Sequence, residues 1–313
     1  MRITTVPLLF ILTAAASAQP YVYVSNVSGN NVSVVNSANN QLLSLITVPA
    51  GPAGLAATPD GSDVYVTSQS MSNVSIISTA SHSIIKTIPV GSVPVAVALT
   101  PNGAQAYVLN QGSNQVSVID TTQKSVIATI GVGNRPSAIA FSPDGTHAFV
   151  ANLLGNTVSV ISTASRTVVG TFATQSGPAG LAVSPNGADI YVANEYSNTV
   201  TVHQNPSGSL VKTITGLVYP NSVALTPNGS HLYVTNGNAS SVSIINTSTN
   251  TILHTLPTGS LPTSVAVSPD GAHAYVTNEF GFSLTVINTA ANQVSTTIQR
   301  VGIYPVRVAT SKL

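Results

Sequence analysis

Apolar and polar positions alternate along this chain in short runs, and the runs come in sets of four. In the stretch from Pro262, "TSVAVS" is an apolar segment bounded by Pro and by the turn signal "PDG". "HAYVTN", "SLTVIN" and "QVSTTI" follow, each separated from the next by a few polar residues. Val, Ile, Thr and Tyr dominate these segments, as half-buried pleated surfaces favour. Asp270-Gly271 reverses the chain between the first two, because Gly accepts the positive φ that a tight hairpin turn requires. Helical spacing occurs nowhere beyond the first 18 residues, so the pattern predicts an all-β protein.

The sets repeat. The aromatic residue of each second strand stands at Tyr23, Tyr65, Tyr107, Phe149, Tyr191, Tyr233 and Tyr275, each 42 residues after the last. The Pro-led first strand keeps the same step at Pro52, Pro94, Pro136, Pro178, Pro220 and Pro262, then arrives one residue late at Pro305. Seven units of about 40 residues with four strands each predict a β-propeller. The ends are complementary. The N-terminal unit lacks a first strand, and "PVRVATS" from Pro305 supplies only that strand. A seven-bladed propeller of four-stranded antiparallel blades, closed by the N- and C-terminal strands together, is therefore expected, with no unpaired sheet edge at the join.

The residues that repeat also resemble a known family. "YVTN" at Tyr233 and Tyr275, with "SPDG" upstream and "VSVI"-like strands downstream, is similar to the YVTN-type seven-bladed propeller repeats of exported and surface-layer proteins. The resemblance covers the chain from residue 19 onward and implies a fold more than a reaction. Propellers of this kind include lactonase-like enzymes, substrate-binding subunits, adhesive surface modules and a DNA binder.

The first 18 residues have a different character. Arg2 precedes an apolar core from about Val6 to Ala15 and the small-residue pattern Ala16-Ser17-Ala18. That is the pattern of a secretory signal peptide cleaved after Ala18, and the run is shorter than the ~20 residues of a spanning helix. The expected organisation is a signal peptide at 1–18 and one propeller domain at 19–313, exported to the periplasm or the cell surface, with no transmembrane segment. With no cysteine in the chain, disulfides, thiolate metal sites and cysteine nucleophiles are excluded. Charged residues make up 5% of the chain and the net charge is +1, so nucleic acid is a poor partner.

Candidate chemistry falls into columns of the repeat. Asp60, Asn102, Asp144, Asn186, Asn228 and Asp270 each precede Gly, and the free exchange of Asp for Asn suits a turn, not a catalytic or calcium-binding carboxylate. Asp63, Gln105, His147, Asp189, His231 and His273 start one strand per blade and are too far apart to ring a metal. His203 replaces the Val or Ile of a third strand and reads as a packed, hydrogen-bonded histidine; His254 shares a solvent-facing column with Lys86 and Lys212. G-x-S-x-G, phosphate-loop and dinucleotide motifs are missing, as is Trp.

What remains is departure from the repeat. In a propeller, the loop between strands two and three opens on the same face as the loop leading to the next blade. On that face most loops are Ser, Asn and Gly, but Glu195, Tyr196 and Tyr219 form one exception, and Glu279, Phe280, Phe282, Arg300 and Tyr304 form another. Arg135 joins them, and Arg307 stands in a first-strand column otherwise filled by Gly, Ala or Ser. Aromatic and Arg side chains are the usual anchors of binding surfaces. With first strands otherwise small and apolar, no acid–base pair is evident. The sequence therefore reads as a binding or surface-scaffold module without catalysis, metal or cofactor. Its expected partners are a protein, a cell-surface polymer or its own copies in an array. The alternative is a lactonase-like hydrolase with carboxylates at the mouth of the central channel, and the third reading is DNA binding.

Overall fold

The computed structural model describes residues 21–311; the signal-peptide reading of residues 1–18 lies outside them. The described chain forms seven four-stranded antiparallel sheets. Blades one to six begin at Pro52, Pro94, Pro136, Pro178, Pro220 and Pro262. Blade seven places Pro305–Thr310 beside Tyr21–Asn26, with Val22 opposite Thr310 and Val24 opposite Val308. The main chain of Ser311 donates a further bond to the Tyr21 carbonyl at 3.0 Å. The ring is thus closed by the pairing that the complementary ends predict.

The innermost strands of neighbouring blades contact one another around the axis. Second and third strands are sandwiched between blades, so Tyr191–Asn194 is buried throughout. The aromatic column is 0–1% exposed at every one of its seven positions. Each ring is a wedge between blades: Tyr191, Val200 and Val202 of blade four pack with Leu232, Val234 and Ile245 of blade five. The hydrophobic core is therefore a set of inter-blade seams, and each fully buried Val or Ile in a seam contributes roughly 1.5–3 kcal/mol. The outermost strands face solvent and slip register against the third strand in every blade, as between Val202 and His203. Such bulges add twist to a blade.

The final Asn of the repeated phrase now has a cause. Its buried amide donates across to the third strand, from Asn278 to Ser283 and Thr285 at 3.1 and 2.9 Å, and likewise from Asn236 and Asn152. The Asp/Asn column is turn chemistry, as its composition predicts: Asp60, Asn102, Asp144, Asn186, Asn228 and Asp270 each accept from the main-chain N–H two residues on. His203 is 2% exposed, with Nδ1 bonded to the Gly208 carbonyl and Nε2 to Thr201. It is the packed histidine that its column suggests.

Candidate functional site

Three columns of the repeat meet where the channel opens. The residue after each inner-strand Pro, the residue two after it, and the residue following each second strand all turn toward the axis. In blades one to three these carry no charge, and the small or apolar part of the wall is built of Ala53, Val95, Ser137 and Leu153, with Ala179 of blade four. Blades four to seven break the pattern. Glu195 follows the second strand of blade four, Glu279 follows that of blade six, and Arg307 sits on the inner strand of blade seven. All three line one cavity of about 290 Å³, together with Gln69, Gln111, Asn221 and Thr263. Arg307 also reaches the deeper part of the channel, among Ser137, Asn221, Ser222 and Ser264.

At the place in blade five corresponding to Glu195 stands Gly237. A Cβ there would lie 2.9 Å from Asn221 Nδ2 and 3.3 Å from the Tyr219 ring. The bare position leaves room for Asn221 and Tyr219 to lean in between the two carboxyls. Asn221 is held by bonds to the Pro262 carbonyl, 3.1 Å, and from Thr235, 2.5 Å.

The electrostatics mark the two acids as poised. Burial raises the Glu195 carboxyl above its ordinary value, against a hydrogen bond with the Tyr219 side chain and the charges of Arg307 and Arg135. Burial likewise raises Glu279, with Arg307 opposing it. Arg307 is lowered by burial while Glu195 and Glu279 hold its charge in place. Burial, then the Glu195 charge and hydrogen bond, push the Tyr219 hydroxyl up to about 12, so it remains a donor across the neutral range. Perturbed acids converging on a cleft with a cation are the pattern of a catalytic site.

The candidates from the sequence divide in three. Glu195, Glu279 and Arg307 line the cavity. Tyr196 and Tyr219 form one aromatic pair on the rim, with centroids 6.2 Å apart, and Tyr304 contacts Phe280 and Phe282 at 5.8 and 5.3 Å in another. Arg135 is exposed and acts on Glu195 through its charge, while Arg300 is exposed and lines no part of the cavity. Sequence reasoning passed over Gln69, Gln111, Asn221 and Thr263. Their signal was the axis-facing columns, in which they are the amide and hydroxyl members.

A larger cavity, about 440 Å³, lies between blades five and six on the opposite face. Its carboxylate, Asp270, is already engaged by Ser268 and by the Ala272 N–H, which hold it below the usual carboxylate value. Among the described residues no group of three or more His, Asp or Glu is placed to hold a metal ion.

A family described as lactonase, 7-bladed beta-propeller, matches residues 122–256, a stretch that includes Glu195, Tyr219 and Asn221. Among solved structures, hydrazine synthase of Kuenenia stuttgartiensis is 25% identical, with a TM-score of 0.79 over 86% of this chain and 92% of that one. A putative 6-phosphogluconolactonase of Bacteroides fragilis NCTC 9343 is 18% identical, with a TM-score of 0.80 over 96% and 99%. A functionally unknown protein of Desulfotomaculum acetoxidans DSM 771 is 19% identical, with a TM-score of 0.80 over 93% and 98%. At 18–19% identity the last two likenesses speak for the fold. No curated protein matches the sequence.

The lactonase match overturns the expectation of a non-catalytic binding or scaffold module. The inner strands are small and apolar, but the acids arrive from the residue after the second strand, a column that also faces the axis.

Proposed function

We propose that the protein is a lactonase-like hydrolase with its active site at the channel mouth. The observation that carries this reading is the placement of two burial-raised carboxyls and one guanidinium on a single cavity, supported by the lactonase family match. Glu195 has three groups favouring its ionised form against one for Glu279. Burial raises both carboxyls, and the additional groups on Glu195 are the basis on which we assign the two roles. Glu195 is the base and Glu279 the acid.

Glu195 takes a proton from a water molecule, whose oxygen bonds to the lactone carbonyl carbon. Charge gathering on the carbonyl oxygen faces the Arg307 guanidinium, which is anchored through Nη1 on the Thr263 carbonyl and so needs little reorganisation. The ring C–O bond breaks, and the departing oxygen takes the Glu279 proton. The product is the open hydroxy acid, and exchange with solvent restores both carboxyls.

The test is proton release from a panel of five- and six-membered lactones. Glu195→Gln and Glu279→Gln should each cost about 10²–10⁴-fold in kcat/KM, the usual contribution of a general base or acid. No ring opening above buffer, or Gln variants at full rate, overturns the reading. We propose too that the enzyme acts outside the cytoplasm, on the signal-like character of residues 1–18. Exported protein should then begin at Gln19.

A further inference from the structure

The polar mouth is flanked by apolar side chains that the chemistry above does not use. Tyr196 is 48% exposed, Phe280 57% and Phe282 39%, and Leu154 on blade three is 48% exposed at the place corresponding to Tyr196. These are not loose loop residues. The Tyr196 ring lies against Gly177, where a Cβ would come within 2.6 Å of it, and it packs on Tyr219. Tyr219 is tied in turn to Asn198 by its main-chain N–H at 2.7 Å and to the Glu195 carboxyl by its side chain. Each aromatic pair is thus continuous with one acid: Tyr196 follows Glu195, and Phe280 follows Glu279.

Two of the rings share one place in the repeat. Tyr219 and Tyr304 precede an inner-strand Pro at φ +53° and +54°, a conformation that a bulky residue adopts at some cost. Gly51, Val93, Arg135, Gly177 and Leu261 fill the same place in the other five blades, also at positive φ. The turn accepts residues of several kinds, and two of its seven places carry an aromatic ring, one of which, Tyr219, reaches the Glu195 carboxyl.

From this collar we infer that the substrate is an amphiphilic lactone: a ring that meets Glu195, Glu279 and Arg307, bearing an apolar alkyl or aryl substituent that lies outward over Tyr196–Tyr219 or Phe280–Tyr304. The inference rests on the hydrolase reading. Aromatic faces bind such groups by area, while the 5% of charged residues leaves the surrounding rim nearly neutral.

Two parallel measurements test it. kcat/KM is measured on γ-lactones that share one ring and carry linear alkyl chains of increasing length. Binding of the matching γ-lactams, which keep the ring carbonyl and resist hydrolysis, is followed by calorimetry. Both should rise about two- to fourfold per added methylene until the collar is covered. In Tyr196→Ser and Phe280→Ser the dependence on chain length should flatten, read against each variant's own value for the unsubstituted ring. Turnover without any chain-length dependence overturns the amphiphile and leaves the hydrolase. Chain-length-dependent lactam binding without turnover of any lactone does the reverse. Equal slopes in wild type and both variants remove the collar from the site.

Discussion

Arg307 of blade seven donates from Nη1 to the carbonyl of Thr263 in blade six at 3.1 Å, and from that anchor its charge acts on both Glu279 and Glu195. One guanidinium therefore opposes the effect of burial on two acids that stand two blades apart.

Replacing it should move both acids in the same direction. Arg307 lowers each carboxyl against the raising effect of burial, so Arg307→Met should raise both. The acidic limb of the pH–rate profile for lactone opening should shift to higher pH. The maximal rate should fall by about 10²-fold or more, as expected when the donor facing the developing oxyanion is lost. An unmoved acidic limb would separate Arg307 from the acids.

Tyr219→Phe isolates the other influence on Glu195. The lost hydrogen bond had favoured the carboxylate, so the acidic limb should again move up, while Glu279 keeps its environment. The basic limb should stay in place, because it follows Glu279. A shift of both limbs together would contradict the division of roles.

The same acids make a stability prediction with a definite sign. A carboxyl raised on folding stabilises the fold below its unfolded pKa, and that contribution is lost as pH rises through the raised value. Glu195→Gln and Glu279→Gln remove this dependence. Each should raise Tm by about 1–3 °C at neutral pH and change it little near pH 4, a gain of the kind seen when a strained active-site group is neutralised. Asp144 should behave oppositely. Bonds from Ser142 and Thr146 hold it down to about 2, so its contribution is present at neutral pH and lost on acidification below about pH 4. Thermal unfolding across pH distinguishes the two classes.

Blade one lacks the Asn that ties second to third strand elsewhere; Ser68 stands in its place. Three buried oxygens there, Ser68 Oγ, Asn73 Oδ1 and Ser75 Oγ, are without partners. The equivalents of the last two in blade seven are the acceptors of the Asn26 amide, Asn31 Oδ1 and Ser33 Oγ. Ser68→Asn should satisfy both and stabilise the protein by about 1–2 kcal/mol. A lowered denaturation midpoint would show that blade one has no space for the amide.

The fold was legible because each blade solves one packing problem, and a problem solved seven times leaves a period. The Tyr wedge, the Asx turn and the strand-ending Asn recur for reasons that are local to a blade. The site was only half legible. Glu195, Glu279 and Arg307 stood out as departures, but they lie 84 and 28 positions apart in sequence and meet only through the ring. Nothing local shows that the residue after the second strand faces the axis. Arg300 was drawn in by the one-residue insertion beside it. Beside it Gly302 sits so close on Asn26 that any side chain there would collide with the amide, as at Gly91, Gly133 and Gly259 on their own Asn.

The strand that closes blade seven has a kinetic consequence. It pairs with residues some 290 positions earlier, and it also delivers Arg307. A contact of that sequence separation is among the slowest to form. Through synthesis, and through any passage across a membrane in extended form, six blades can assemble around a mouth that holds both acids and no guanidinium. Under the hydrolase proposal, competence for lactone opening would then appear in one step, with the last strand, so that turnover would count the molecules whose ring has shut.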